Sequence, residues 1–534
     1  MLRRNKINTR VSRFEALETR NLLAGNVSAF VDGGGDLVIQ GDTASNAIQL
    51  IQTAANTWKV TGIATTVNGS HSPFIATGVT RRIGTFMDQG NNTVQFLSGN
   101  SFGIDFEGLN GNDTLILSNL TIFNRVNIDA GNGTNSIVIN NCSISDGLGI
   151  SVGDNNDAVV ISRTNISGGL LVELGNGTNA LTMVNDNILQ PSSVTSTVQP
   201  AQDELEVPDC GAVIVGGNGV DAIAMTGVKI DCFTQIDTLG GNDAVAIANS
   251  RFGNLVSTSA PFIQSADVSD DPVLVDPSLN DTFVGLYIQT GTGNDATTIT
   301  NTTVYGSLLI DSSNHVNAQG ASLDEFNLKD GNDSVVLNKV TVLDDGATTG
   351  LEVDTGILRI YTGSQDDAVV LNAVNTDADA WIFTTDFLFD NSPFDGTDSV
   401  VITNSNFNRL DSTGTEFDPD NAPFAIVTGL FIRTGNGNDV VSIANVKVTE
   451  GTAIDTGNGT DHVAISALVE TANPTVSDLI YADLGDGNYD TLSVTNSSAA
   501  SAYFYGGDNT GDTLVKAHNH FETETDTGFQ FAIG

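Results

Sequence analysis

The chain has 534 residues, more than one globular core usually supports, so it is either several domains or one elongated repeat whose core grows by stacking. Its 20 Lys and Arg face 64 Asp and Glu, and the net charge of −44 argues against nucleic acid or an anionic membrane as partner, because Coulomb repulsion opposes both. With 40% hydrophobic and 16% charged residues, and 56 Gly beside 11 Pro, the composition is too apolar for a disordered acidic chain and points to a folded protein with many ordered turns.

Residues 1–25 differ in kind from the rest. Arg3, Arg4, Lys6, Arg10, Arg13 and Arg20 make them basic, while the apolar run Leu22-Leu23-Ala24 is too short for the roughly 7 to 15 residues of a signal-peptide core. The stretch Phe14-Glu15-Ala16-Leu17-Glu18-Thr19-Arg20-Asn21-Leu22-Leu23 resembles the LEPR-XLL motif at the start of many large planctomycete exported and surface proteins. Leu17, Glu18, Arg20, Leu22 and Leu23 match, and Thr19 stands where that motif has Pro. The resemblance implies a secreted or cell-surface protein. A short amphipathic helix that merely starts the fold is the alternative. No run approaches the roughly 20 apolar residues of a membrane helix, so no transmembrane span is expected. Residues 26–86, with Trp58-Lys59-Val60-Thr61-Gly62, read as a short N-terminal β cap over an open coil edge.

From residue 87 an internal repeat dominates, of the form Gly-x-Gly-Asn-Asp-x-Val-x-Ile-x-Asn. Aligned on the residue that closes the turn, the copies are anchored at Asn92, Asp113, Asn135, Asp157, Asn179, Asp221, Asp243, Asp295, Asp333, Asp367, Asp398, Asp439, Asp461, Asp490 and Asp512. The recurring step is 22 residues, and the longer steps read as one coil plus an insertion, although the 52 residues before Asp295 leave room for a degenerate coil. Apolar residues stand two and four positions after the anchor, as in Leu115 and Leu117, Ile137 and Ile139, or Val463 and Ile465, which is the period-two pattern of a strand with one inward face. Six positions after it stand Asn119, Asn141, Asn185, Asn249, Asn301, Asn404, Asn445 and Asn496, placed to stack as a structural amide ladder at a corner. This pattern resembles the right-handed parallel β-helix. The expected fold is therefore all-β, a right-handed parallel β-helix of about 22-residue coils over residues 87–516, with a C-terminal cap at 517–534.

The insertions, near 187–210, 252–284, 311–326 and 405–425, enter at one phase and so decorate one side. Several carry Pro-Phe, at Pro261-Phe262, Pro393-Phe394 and Pro423-Phe424, and read either as flaps over a hydrophobic seam or as a binding surface. Cys210 and Cys232, one coil apart, read as two stacked core thiols, with a disulfide as the alternative.

Carboxylates about 4.8 Å apart on adjacent coils repel by about 0.9 kcal/mol even in water. A row of calcium ions at Asp113, Asp157, Asp221, Asp243, Asp295, Asp333, Asp367, Asp439, Asp461, Asp490 and Asp512 would relieve this, using the turn carbonyls as further ligands. The turns resemble the calcium-binding Gly-Gly-x-Gly-x-Asp turn of RTX proteins, but those repeat every nine residues. Asn at 92, 135 and 179 supports the other reading, an acid that bonds its own turn backbone. No catalytic constellation stands out: His residues are scattered, and Arg359 and Arg433 are the candidate basic groups of a lyase site, with pairing to nearby acids as the alternative. The expected function is a non-catalytic exported or surface solenoid for adhesion, matrix assembly, or polysaccharide or surface-protein binding. A β-helix polysaccharide lyase or glycoside hydrolase is the alternative.

Overall fold

A 22-residue unit with three short alternating segments can bury all its apolar side chains only by closing on itself and stacking. The computed structural model describes residues 25–190, 207–208, 210–253, 285–313, 331–344, 356–385, 396–408, 429–471, 478–508 and 510–533, and there the chain does this. It is all-β, a parallel β-helix. Each coil runs from the anchor turn into a first strand, bends at a corner, continues as a short second strand, and turns into a third. In the coil that starts at Asn135 these are Ser136–Asn140, Ser143–Ile144 and Leu148–Ser151.

Pairing is in register at one coil. Thr114 lies opposite Ser136, Ser136 opposite Ala158, and Ala158 opposite Ala180. The long steps obey the same rule: Ala244 pairs with Ala296, Ser334 with Ala368, Ala368 with Ser399, and Ser399 with Val440. The 52-residue step therefore contains one coil, not two. Such insertions are tolerated because closure entropy grows slowly with loop length.

The inward residues predicted from the period-two pattern form the core. Leu115, Leu117, Ile137, Ile139, Val159, Ile161, Val335 and Leu337 are all 0% exposed. Full burial of each such side chain is worth about 1.5–3 kcal/mol, so the stack of like residues supplies the main cohesive energy.

At the corner, all eight Asn hold φ between 48° and 56°, in the left-handed region. Arg163, Lys339, Ala373, Ala467 and His518 take the same conformation at the same place, so the bend is dictated by the coil and Asn is the residue that tolerates it best. Asn141 Nδ2 donates to Asn119 Oδ1 at 2.8 Å, Asn301 to Asn249 at 2.8 Å, and Asn445 to Asn404 at 2.9 Å. The exposed amide ladder is thus a set of short runs, interrupted where Arg163, Gly227 or Lys339 occupies the corner.

The N-terminal region mixes the two senses: Asn26–Val31 pairs antiparallel with Leu37–Gln40, and Thr57–Gly62 antiparallel with both Ala47–Ala54 and Phe74–Thr77, while Leu37–Gln40 pairs in parallel with Ile83–Phe86. Ala47–Ala54 also pairs in parallel with Thr93–Ser101, and buried Trp58 packs edge-on against Phe96 at 6.3 Å, which seats these strands on the first coil. At the other end, His520–Thr527 and Phe531–Ile533 continue the parallel register but are largely exposed.

Cys210 and Cys232 form a disulfide, which corrects the expectation of two stacked thiols. Their Cα atoms are 5.8 Å apart, within the range a disulfide spans, and they sit just before the paired third strands that begin at Ala212 and Thr234. Cys142 is a buried free thiol.

Candidate functional site

The anchors lie inside the coil. All eleven Asp proposed as calcium ligands are at most 3% exposed, as is Asp398. They act as rungs between coils: the backbone N–H of one anchor donates to Oδ1 of the next, except at Asp221, whose Oδ1 accepts from Asn179 Nδ2 at 3.0 Å and whose Oδ2 accepts from Gly217 N at 3.0 Å. Asn92 N reaches Asp113 at 2.7 Å, Asn135 N reaches Asp157 at 2.6 Å, Asp221 N reaches Asp243 at 2.8 Å, and Asp439 N reaches Asp461 at 2.9 Å. The series continues through Asp490 and Asp512 to Gln530, whose Oε1 accepts from Asp512 N at 2.7 Å.

Burial sets the acidity of these groups. Desolvation raises Asp157 and Asp243 to about 7, Asp295, Asp439 and Asp490 to about 6, Asp461 to about 8 and Asp398 to about 10, against the pull of the backbone donors. Asp113 and Asp221 are raised for the same reason. For Asp398 the neighbouring carboxyls Asp367 and Asp439 add to the rise. Among the described residues no group of three or more His, Cys, Asp or Glu converges as a metal cluster. Each coil contributes one anchor to the ladder, an Asp or, at 92, 135 and 179, an Asn, with Oδ1 engaged by an N–H.

A second set of groups, missed in the sequence, lies on the outer face of the third sheet. The described segments stop at both ends of third strands, at 253 before Gly285–Gln289, at 313 after Ser307–Asp311 and at 385 after Ala380–Phe383, so the insertions enter at two points of the coil, which corrects the expectation of a single phase. Register lines up Tyr287, Leu309, Arg359, Trp381, Phe431, Ala453, Tyr481 and Tyr503 on successive coils. Arg359 lies 4.9 Å from the Trp381 ring centroid, Tyr361 stacks on Phe383 at 5.2 Å, and Phe383 meets Phe431 at 5.3 Å. Beside them Arg433 Nε is 3.5 Å from Asp455, Asp455 is in register with Asp483, and Tyr481 OH donates to Asp483 Oδ2 at 3.0 Å. Desolvation raises both Asp455 and Asp483, and Arg433 opposes it at Asp455. The first sheet shows smaller polar and aliphatic residues outward instead, Thr114, Ile116 and Ser118 in Thr114–Ser118 and Ala158, Val160 and Ser162 in Ala158–Ser162.

This face escaped sequence reading because insertions hide its 22-residue spacing. The legible signal was the alternation in Leu358–Tyr361, Ala380–Phe383 and Leu430–Arg433, where a large residue follows each core position. Glu470 was missed too: it occupies an inward position filled by Val448 in the coil before, is 6% exposed, and accepts a hydrogen bond from Thr452 Oγ1. The Pro-Phe segments and the LEPR-XLL-like stretch lie outside the described residues.

The fold and the repeated polar columns define a β-solenoid with one chemically distinct side. The chain matches no family model, no curated protein and no solved structure. Among the described residues no helix is long and apolar enough to cross a membrane.

Proposed function

We propose that this protein is an exported, surface-displayed β-solenoid that binds a neutral glycan along the outer face of its third sheet. The observation that carries this reading is the concentration of Trp381, Phe431, Tyr481 and Tyr503 with Arg433, Asp455 and Asp483 on the outer face of the third sheet. Aromatic rings offer apolar faces to sugar C–H groups, and fixed carboxyl and guanidinium groups orient hydroxyls. The net charge of −44 disfavours anionic glycans at long range. Export accords with the LEPR-XLL resemblance and with the Cys210–Cys232 disulfide, which persists in oxidising surroundings.

The test is retention of the purified full chain on immobilised neutral and uronate polysaccharides. Retention on a neutral matrix that drops at least tenfold in Trp381→Ala and Tyr481→Ala supports the proposal. Retention unchanged in both variants, or confined to uronates, contradicts it. The registered pair Asp455 and Asp483 favours a second reading, glycoside cleavage by two carboxyls on neighbouring coils. Shortening of a bound glycan that is abolished in Asp483→Asn would establish it. Calcium is the competing stabiliser of the anchor ladder, with the eleven anchor Asp and their turn carbonyls as its ligands.

A further inference from the structure

The outer face of the first sheet is free of formal charge. Each coil turns three side chains outward from its first strand, one, three and five positions after the anchor, and pairing holds these positions in register from Thr93 to Thr513. Across the fifteen coils not one of them is Asp, Glu, Lys or Arg, where the chain's 16% of charged residues would place about seven. None is aromatic, and His462 is the single titratable group among them. The charges stand elsewhere. Third strands turn out Glu107, Asp129, Glu173, Asp311, Asp455 and Asp483, and second strands turn out Lys229, Arg251 and Lys447. The breaks between described segments flank the third strands as well, and none falls within a first strand or at its Asn corner.

The face also has the composition of an interface. Its central column carries Ile116, Val138, Val160, Val336, Val370 and Val401. The columns on either side of these residues are mostly Ser, Thr and Asn, as in Ser136 and Asn140 or Ser399 and Thr403. An apolar middle with a hydrogen-bonding rim is how protein contacts are built. Its size fits as well. Fifteen coils at about 4.8 Å give a length of roughly 67 Å, and three outward positions at about 3.3 Å per residue span about 13 Å, so the face offers roughly 900 Å². Two such faces together bury about 1,800 Å², within the range of a stable, specific interface.

We propose that the outer face of the first sheet packs against the same face of a second copy of this chain, two solenoids joined sheet to sheet about a two-fold axis. Charge selects this occupant. Chains that each carry a net charge of −44 repel one another over their acidic sides, and the first sheet is the face on which two copies meet with no carboxylate opposed. The short side chains leave nothing protruding that would hold two sheets beyond the usual spacing of about 10 Å. A patch that is its own partner closes the assembly at two. The pair leaves the third sheet of each copy uncovered, so the aromatic face is presented twice.

In full overlap a two-fold axis opposes Thr298, in the central column of the eighth coil, to itself, with Ala246 beside it on the coil before. The test is sedimentation equilibrium of the purified full chain, of the face variant Ala246→Lys with Thr298→Lys, and of the control Ser143→Lys with Asn165→Lys. The control residues are exposed neighbours on the second sheet. Thermal midpoints confirm that each variant folds. The expected result at roughly 50 μM is a two-chain wild type, since interfaces of this area reach micromolar affinity or better. Its dissociation constant should fall as salt screens the acidic sides. It should rise at least tenfold in the face variant, although that variant is the less acidic chain, and stay unchanged in the control. A single-chain wild type, a pair that the face variant leaves intact, or a pair that salt dissociates would overturn the proposal. So would a single chain that adheres to ice through this face, with adhesion lost in the face variant, because the occupant would then be a solid.

Discussion

Replacing Cys210 and Cys232 together by Ser tests how a local staple acts in a stack whose coils touch only their neighbours. The two residues are 22 apart, and closing a loop of that size removes about 3 kcal/mol of unfolded-chain entropy. Because cohesion in a solenoid is passed from coil to coil, the loss should fall first on the strands the bond joins, Ala212–Val215 and Thr234–Asp237. Hydrogen exchange with mass-spectrometric readout of these segments measures it: opening in the double variant should become more than tenfold easier there and change little around Ser136–Asn140. The wild type unfolded without reductant should show one reactive thiol, Cys142. Three reactive thiols, or exchange unchanged at 212–215, would refute the reasoning.

Gly241→Ala should be among the most damaging single changes. Its φ is 151°, and an added Cβ would stand 1.3 Å from the Gly219 carbonyl oxygen of the preceding coil, so the coils must separate; a loss above about 4 kcal/mol, or insoluble expression, is expected. Gly33→Ala is the control, since nothing lies within 4 Å of its added Cβ, and urea unfolding should place it within about 0.5 kcal/mol of wild type.

How far the sequence could be read follows from what each residue contacts. The 22-residue step and the apolar pairs two and four places after each anchor predicted the stack, because a strand with one dry face needs that pattern whatever its partner. The Asn corner was legible for the same reason: the left-handed bend recurs in each coil, and Asn tolerates it best. The anchors were legible as positions but not as environments. Sequence places Asp461 in a glycine-rich turn, and such turns usually face water; only the coil shows that the carboxyl points inward to the N–H of Asp439. The aromatic face was hidden because Trp381 and Phe431 are neighbours across 50 residues of sequence, in which an insertion erases the period. The disulfide stayed open because a 22-residue spacing suits two stacked thiols and a bonded pair alike.

The central claim, that buried acidic rungs join each coil of the solenoid to the next, is tested most directly by urea-unfolding stability of the wild type from pH 5 to pH 8.5 in chelator. Ordinary carboxyls have finished titrating by about pH 5.5, so the window reports the buried rungs together with buried Asp186, raised to about 6, and Asp461→Asn isolates a rung's share. Their folded pKa values lie above the unfolded value of 3.8, at about 6 for Asp439 and about 8 for Asp461, so the stability they contribute is complete below 3.8 and is lost as pH rises through 6 and then 8. For Asp439 alone this amounts to about 3 kcal/mol. The account predicts a steady fall in stability across the window, flattened in part by Asp461→Asn. Stability that rises or holds level from pH 5 to pH 8.5 would contradict it.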